Sequence, residues 1–157
     1  MKKAIEFAKK AHEGQKRKTG EPYIIHPMAV MRTLMDWGMD EDTIIAGVLH
    51  DTVEDTEVTL EDIKREFGES VAFLVDGVTK IGKARQGMRD IDTYLPATRD
   101  NLLRLLVATG ADIRVLIIKL ADRLHNLRTL SALSPEKQKK IAKESLEIFA
   151  PLADRLN

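Results

Sequence analysis

Residues 113–127, IRVLIIKLADRLHNL, decide whether this chain is wholly helical or mixed. Its β-branched opening suits a strand, because branched side chains pack well on a pleated surface. Against that, Ile113, Leu116, Ile117, Leu120 and Leu124 recur at intervals of three and four, the spacing of one helix face. A strand also needs a partner, and no second convincing strand stands elsewhere in the sequence. The stretch is therefore read as a buried helix and the chain as all-α.

Working outward, the rest of the chain divides into helices and punctuation. Ala4, Ile5, Ala8 and Ala11 give a first helix over 2–13 that stops at Gly14, followed by a polar, basic loop to Tyr23. His26 precedes Pro27, which suits a first helical turn, and Met31, Leu34 and Met35 continue a second helix to Gly38. Met28, Met31, Met35 and Met39 read as core or rim of that helix. Asp40 or Asp42 caps a third, whose Ile44, Ile45, Val48 and Leu49 run directly into His50 and Asp51. Thr59 with Asp62 resembles a capping box for a short helix to Phe67, and Val71, Leu74, Val75 and Val78 mark another. Residues 82–93 read as a polar loop, Tyr94 to Thr109 as a helix, and Ser134-Pro135 starts a last helix through Phe149.

The bulk composition narrows the class. A length of 157 residues suits one domain, and 43% hydrophobic with 32% charged residues is the balance of a folded globular protein. Lys and Arg number 25, as do Asp and Glu, so no global field favours nucleic acid or an anionic membrane. Charge is clustered instead. Lys9, Lys10, Lys16, Arg17 and Lys18 form a basic patch, and Asp51, Glu54, Asp55 and Glu57 an acidic one, a pairing that suits a metal beside a phosphate ligand. Without cysteine there is neither a disulfide framework nor a thiolate ligand, which fits a cytoplasmic setting. The lysines within MKKAIEFAKKAH exclude a secretory signal, and no apolar run approaches membrane length. The sequence carries no signal of oligomeric state.

Two polar stripes interrupt the apolar pattern. His50 and Glu54 are four apart, as are Asp51 and Asp55; downstream, Asp122, Asn126 and Thr129 follow at four and three. A buried Asp on so apolar a helix requires partners. A structural ion-pair network with Lys or Arg supplies them in one reading. In the other, His26, His50, Asp51 and Asp122 together make a nitrogen and oxygen shell for Mn, Fe or Zn. Spacing alone leaves both open. His12 and His125 lie on mainly apolar helices and read as satisfied packing residues, not ligands.

The ordered set His26, His50-Asp51, Asp122 resembles the HD superfamily of metal phosphohydrolases. The surrounding words are more specific: GQKRKTGEPYIIHP (14–27), GVLHDTVEDT (47–56), FGESVAFLVDGVTK (67–80) and DIRVLIIKLADRLHNLRTL (112–130) resemble the hydrolase domain of the Rel/SpoT alarmone enzymes. The likeness implies an HD-type bundle of about eight helices spanning 1–157. It implies one Mn²⁺ held by His26, His50, Asp51 and Asp122, with Glu54 and Asp55 orienting or deprotonating the attacking water. Arg17, Lys18 and Thr19 would contact the guanine nucleotide, with Asn126 and Thr129 facing it. The reaction implied is removal of the 3′-pyrophosphate from ppGpp or pppGpp, with no nucleic-acid or membrane partner for this domain.

Lys83 to Pro96 lacks a sharp match, so Lys80, Lys83, Arg85 and Arg89 are left unassigned. The final EIFAPLADRLN (147–157) resembles the segment that joins hydrolase to synthetase in the long bifunctional members, so an excised N-terminal domain is expected, with a naturally short hydrolase as the other possibility. Two functional alternatives share the same residues: an HD phosphohydrolase for another nucleotide such as NADPH, and a catalytically silent alarmone-binding module.

Overall fold

The computed structural model describes residues 1–91, 112–130 and 134–144. The helices are α1 (Lys2–Ala11), α2 (Ile25–Asp36), α3 (Glu41–Leu49), α4 (Thr52–Asp55), α5 (Leu60–Phe67), α6 (Glu69–Ile91), α7 (Ile113–Arg128) and α8 (Pro135–Glu144). Among the described residues the only β pairing is an isolated bridge between Lys16 and Pro22 that pinches the loop before α2. The stretch that decided the fold is helical, as its period requires. The helix expected over Tyr94–Thr109 and the part of the last helix beyond Glu144 lie outside the described residues.

α3 is the central element because it is apolar nearly all round. Thr43, Ile44, Ala46, Gly47, Val48 and Leu49 are buried, and the helix packs against α1, α2, α6 and α7. Its start is fixed by Asp40, which accepts from the Thr43 N–H. α2 comes close to α3 at Gly47, where a side chain would run into Leu34 and meet Val30. α2 ends in a Schellman turn: Gly38, at φ +70°, donates to Met35 O, and Met39 donates to Leu34 O. α5 opens with the expected capping box, Thr59 and Asp62 each accepting from the other's backbone N–H.

One expectation about elements is corrected. Residues 82–91 are not loop, since α6 continues to Ile91. Their polarity resembled a loop, but Lys83, Ala84, Arg85, Gln86, Met88 and Arg89 all have high helix propensity. The pair His50-Asp51 does stand at the end of the apolar helix, as expected. α3 stops at Leu49 and α4 starts at Thr52, with Asp51 at φ −96°, ψ −6° in the turn between them. The helical four-residue spacing holds for Asp51 and Asp55, whose backbones are joined by Asp55 N–H to Asp51 O, but it does not carry His50 and Glu54 onto one regular helix face.

α6 packs on α7 where Gly77 faces Val115. An added Cβ would stand 2.7 Å from Val115 Cγ2 and 3.2 Å from Cγ1, and a β-branched side chain in a helix cannot rotate away. Gly77→Ala gains up to about 1 kcal/mol of helix propensity, but the overpacking costs about 1–3 kcal/mol. We expect a net loss of about 1 kcal/mol or more in urea unfolding; a gain in stability would mean that α6 and α7 do not meet there.

Candidate metal centre and nucleotide-facing edge

The site forms where α2, the α3–α4 junction and α7 converge. His26 enters from the first turn of α2, His50 and Asp51 from the junction, and Asp122 from the middle of α7. All four are buried or nearly so, His50 at 1% exposure and Asp122 at 5%. One ring nitrogen each from His26 and His50 and an Asp51 carboxylate oxygen lie within 4.8 Å of one another, a group that can hold a divalent ion. Asp122 reaches the same space, with Oδ1 2.8 Å from His26 Nε2 and 3.5 Å from His50 Nε2.

Hydrogen bonding shows that these residues fit a metal. His50 Nδ1 donates to Gly47 O at 2.6 Å, which fixes the ring so that Nε2 faces the cluster. His50 Nε2 is buried without a well-directed hydrogen-bond partner, although Asp51 Oδ2 lies 2.9 Å away. An imidazole held by its far nitrogen, with its near nitrogen beside two carboxylates, is the usual preparation for metal ligation.

Burial opposes ionised carboxylates, yet their neighbours win. Asp122 is desolvated, but the Lys119 ammonium at 2.6 Å and the His26 and His50 rings hold it well below the usual carboxylate range. For Asp51, burial is outweighed by the charge and hydrogen bond of His50, and its carboxyl is also held low. Burial pulls His50 down, but the Asp51 charge and contacts to Asp122 and Asp51 raise it well above its ordinary value. Asp55 is pushed up, by burial and then by the Asp51 charge.

Several residues here were not singled out by sequence reasoning. Tyr23 donates its hydroxyl to Asp51 Oδ2 at 2.6 Å; burial and the Asp51 charge raise its pKa far above the ordinary phenol value, so it acts as a neutral donor. Lys119 holds Asp122 from the preceding turn. His125 lies with Nδ1 2.7 Å from His26 Nδ1, and burial with the nearby His26 and Arg17 lowers its pKa to about 4. His125 is satisfied, as expected, and its partner is His26: a neutral His125 can accept the His26 Nδ1 proton and leave His26 Nε2 facing the cluster. His12 is buried as expected but only half satisfied, with Nδ1 2.9 Å from Gln15 Oε1 and Nε2 without a partner. The signal was present in the spacing: Tyr23, Lys119 and His125 each stand three residues from a proposed ligand.

The proposed nucleotide contacts divide in two. Arg17 is brought to α7, its guanidinium donating to Asn126 Oδ1 at 3.3 Å and Thr129 Oγ1 at 3.2 Å, while Asn126 Nδ2 donates to Asp122 Oδ1 at 3.3 Å. Arg17, more than a hundred residues away in sequence, thus joins Asn126 and Thr129 in one edge beside the cluster. Lys18 and Thr19 are exposed on the loop. Lys18 lies next to Lys137 of α8, whose hydrogen bond and charge lower its pKa. Asp55 joins the cluster through Tyr23, at 3.3 Å, and Glu54 is exposed on α4.

A helical bundle with two imidazoles and two carboxylates buried at one junction is a histidine–aspartate cluster of the kind that can hold a divalent ion. The chain belongs to the HD domain family, whose sequence profile matches residues 4–157. It is 54% identical over 156 residues to a protein of Aquifex aeolicus (strain VF5) named guanosine-3′,5′-bis(diphosphate) 3′-pyrophosphohydrolase, covering 99% of this chain and 21% of that one. It is 53% identical to a protein of Streptomyces coelicolor named GTP pyrophosphokinase, covering 99% of this chain and 18% of that one. The chain therefore spans about a fifth of the length of these curated relatives. A solved structure described as a metazoan ortholog of SpoT that hydrolyzes ppGpp superposes with a TM-score of 0.71 at 28% identity, covering 94% of this chain and 82% of that one. Among the described residues, no helix is long and apolar enough to cross a membrane.

The signs of these shifts predict how stability depends on pH without metal. His50 is raised, so its contribution is present below its unfolded value of about 6.5 and is lost as pH rises through the folded value. Asp51 and Asp122 are lowered, so theirs is present above about pH 4 and lost on acidification. His125 is lowered to about 4, so it costs stability as pH falls below its unfolded value of about 6.5. The chelator-treated protein should therefore be most stable near about pH 6.5, lose stability on acidification, and melt at lower temperature as pH rises to about 9. Divalent metal should reverse the alkaline slope, because ligation needs deprotonated imidazole. A metal-free melting temperature that rises from about pH 7 to 9 would contradict the assignment.

Proposed function

We propose that this domain hydrolyses the 3′-pyrophosphate of ppGpp or pppGpp, using one Mn²⁺ held by His26, His50, Asp51 and Asp122. Water is added across the bond, leaving a 3′-hydroxyl on GDP or GTP and releasing pyrophosphate. The observation that carries this reading is the juxtaposition of the buried His26, His50 and Asp51 group with the Arg17, Asn126 and Thr129 edge. Similarity to relatives named for this hydrolysis supports the choice of substrate. We treat residues 1–157 as a single hydrolase domain, acting on cytoplasmic guanine nucleotides, that forms the N-terminal part of a longer bifunctional enzyme.

When bound, the ion supplies Lewis acidity and lowers the pKa of water. Asp55 is the base in this mechanism: its raised pKa improves its match to a proton near neutrality, and the Tyr23 hydroxyl links it to Asp51. Glu54 orients the water from the same short helix. Arg17 places its planar guanidinium against the base or a phosphate, steadied by Asn126 and Thr129, and Lys18 and Thr19 meet the nucleotide from the exposed loop. Positioning of this kind turns the encounter into an effectively intramolecular reaction.

A second reading has its own support. Relatives equally similar across this domain are named for the synthetic reaction alone, which favours a silent alarmone-binding module. Pyrophosphate release from ppGpp by metal-stripped protein, with and without Mn²⁺ and beside a matched NADPH assay, separates the readings. We expect Mn²⁺-dependent cleavage of ppGpp, negligible turnover of NADPH, and none of either by Asp51→Ala. Binding of ppGpp without turnover would favour the silent module. Arg17→Ala should raise KM about tenfold with kcat little changed, and a fall in kcat at constant KM would move Arg17 out of ground-state binding.

A further inference from the structure

The Tyr23 hydroxyl stands between two carboxylates that the proposed reaction uses for different tasks. It donates to Asp51 Oδ2 at 2.6 Å and lies 3.3 Å from Asp55 Oδ2. Asp51 Oδ2 is the oxygen that faces the histidines, 2.9 Å from His50 Nε2 and 3.6 Å from His26 Nε2. Two like charges so placed repel, and a shared neutral donor offsets that repulsion while fixing their separation.

The tyrosine is itself held from behind. Its ring lies 4.6 Å from the His12 ring on one side and 6.0 Å from the His26 ring on the other. His12 meets Gln15 through Nδ1, Gln15 Nε2 donates to Asp55 O at 2.8 Å, and the Tyr23 N–H donates to Gln15 O at 2.9 Å. A closed circuit therefore runs from the Asp55 backbone through Gln15, His12 and Tyr23 to the Asp55 carboxylate. The end of α1 and the loop after it serve to aim one hydroxyl.

We infer that Tyr23 is a positioning residue that couples the metal-side carboxylate Asp51 to the base Asp55. The inference rests on the hydrolase reading above for the role of Asp55, but its claim about Asp51 needs only metal binding. Tyr23→Phe keeps the ring between its neighbours and removes the one shared proton. Partners that orient a ligand in this way are typically worth about 10–100-fold in affinity or activity.

The test uses the full chain. Calorimetric titration with Mn²⁺ should show Tyr23→Phe binding about 10–100-fold more weakly than the unsubstituted protein. At saturating Mn²⁺ its kcat for ppGpp should fall about tenfold with KM within about twofold, and in an Asp55→Asn background the same substitution should change kcat by no more than about twofold. Unchanged Mn²⁺ affinity and kcat would overturn the inference. So would an equal loss with and without Asp55, because a merely structural tyrosine would act regardless of its partner. If the unsubstituted protein binds Mn²⁺ but cleaves no ppGpp, the hydrolase reading and the Asp55 coupling fail, while the affinity comparison still decides the hold on Asp51. Should Tyr23→Phe fold poorly, Tyr94→Phe leaves Tyr23 as the one remaining tyrosine. Its ultraviolet band should then shift on adding Mn²⁺, and an unmoved band would count against the contact.

Discussion

Everything in this fold is arranged around the cost of keeping Asp51 and Asp122 ionised in an apolar interior. A lone buried carboxylate would take up a proton instead of bearing that cost. Here Lys119 holds one oxygen of Asp122, His26 holds the other, His50 and Tyr23 flank Asp51, and the histidines are pinned at their far nitrogens by Gly47 O and His125. The partners come from α2, from the α3–α4 junction, from α7 and from the loop before α2, so the charges are tolerable only when these elements are packed. The small residues that permit that approach, Gly47 facing Leu34 and Gly77 facing Val115, bear on the site as directly as the ligands do.

The same arrangement brings two kinds of group side by side. Asp122 contributes to the cluster through Oδ1, and that oxygen also accepts from Asn126, which in turn accepts from Arg17. A single helix, α7, thus carries the metal-side carboxylate, the buried ammonium that neutralises it, and the polar pair that steadies the guanidinium. Lysines of the loop and of α8 add positive charge at the exposed side, where a polyphosphate would be attracted without the protein being basic overall.

Much of this was legible in the sequence. The period of Ile113 to Leu124, the Asp40 cap, the Thr59 and Asp62 box and the glycine after α2 each announce an element through local chemistry. The polar stripes were legible because buried polar residues on apolar helices require an explanation, but spacing left an ion-pair network and a metal shell both open, and only the resemblance to a known family implied His26, His50, Asp51 and Asp122 as ligands. Less visible was whatever depends on two elements meeting. The ring contact of His125 with His26 spans 99 residues, and the hydroxyl of Tyr23 reaches Asp51 across 28. The polar end of α6 was misread because charge in a helix and charge in a loop look alike when no apolar stripe separates them. The short helix α4 was not foreseen because its four residues, TVED, are too few to show a period.

The account stands or falls on where a divalent ion goes. Crystals of the metal-stripped protein soaked with Mn²⁺, with diffraction recorded at a wavelength where manganese scatters anomalously, would locate it without reference to any substrate. The account predicts one strong peak per chain, in contact with His26 Nε2, His50 Nε2 and Asp51, with Asp122 alongside. No peak there, or a peak confined to exposed acids such as Glu54 or Glu57, would contradict it and leave the buried cluster as a structural ion-pair network.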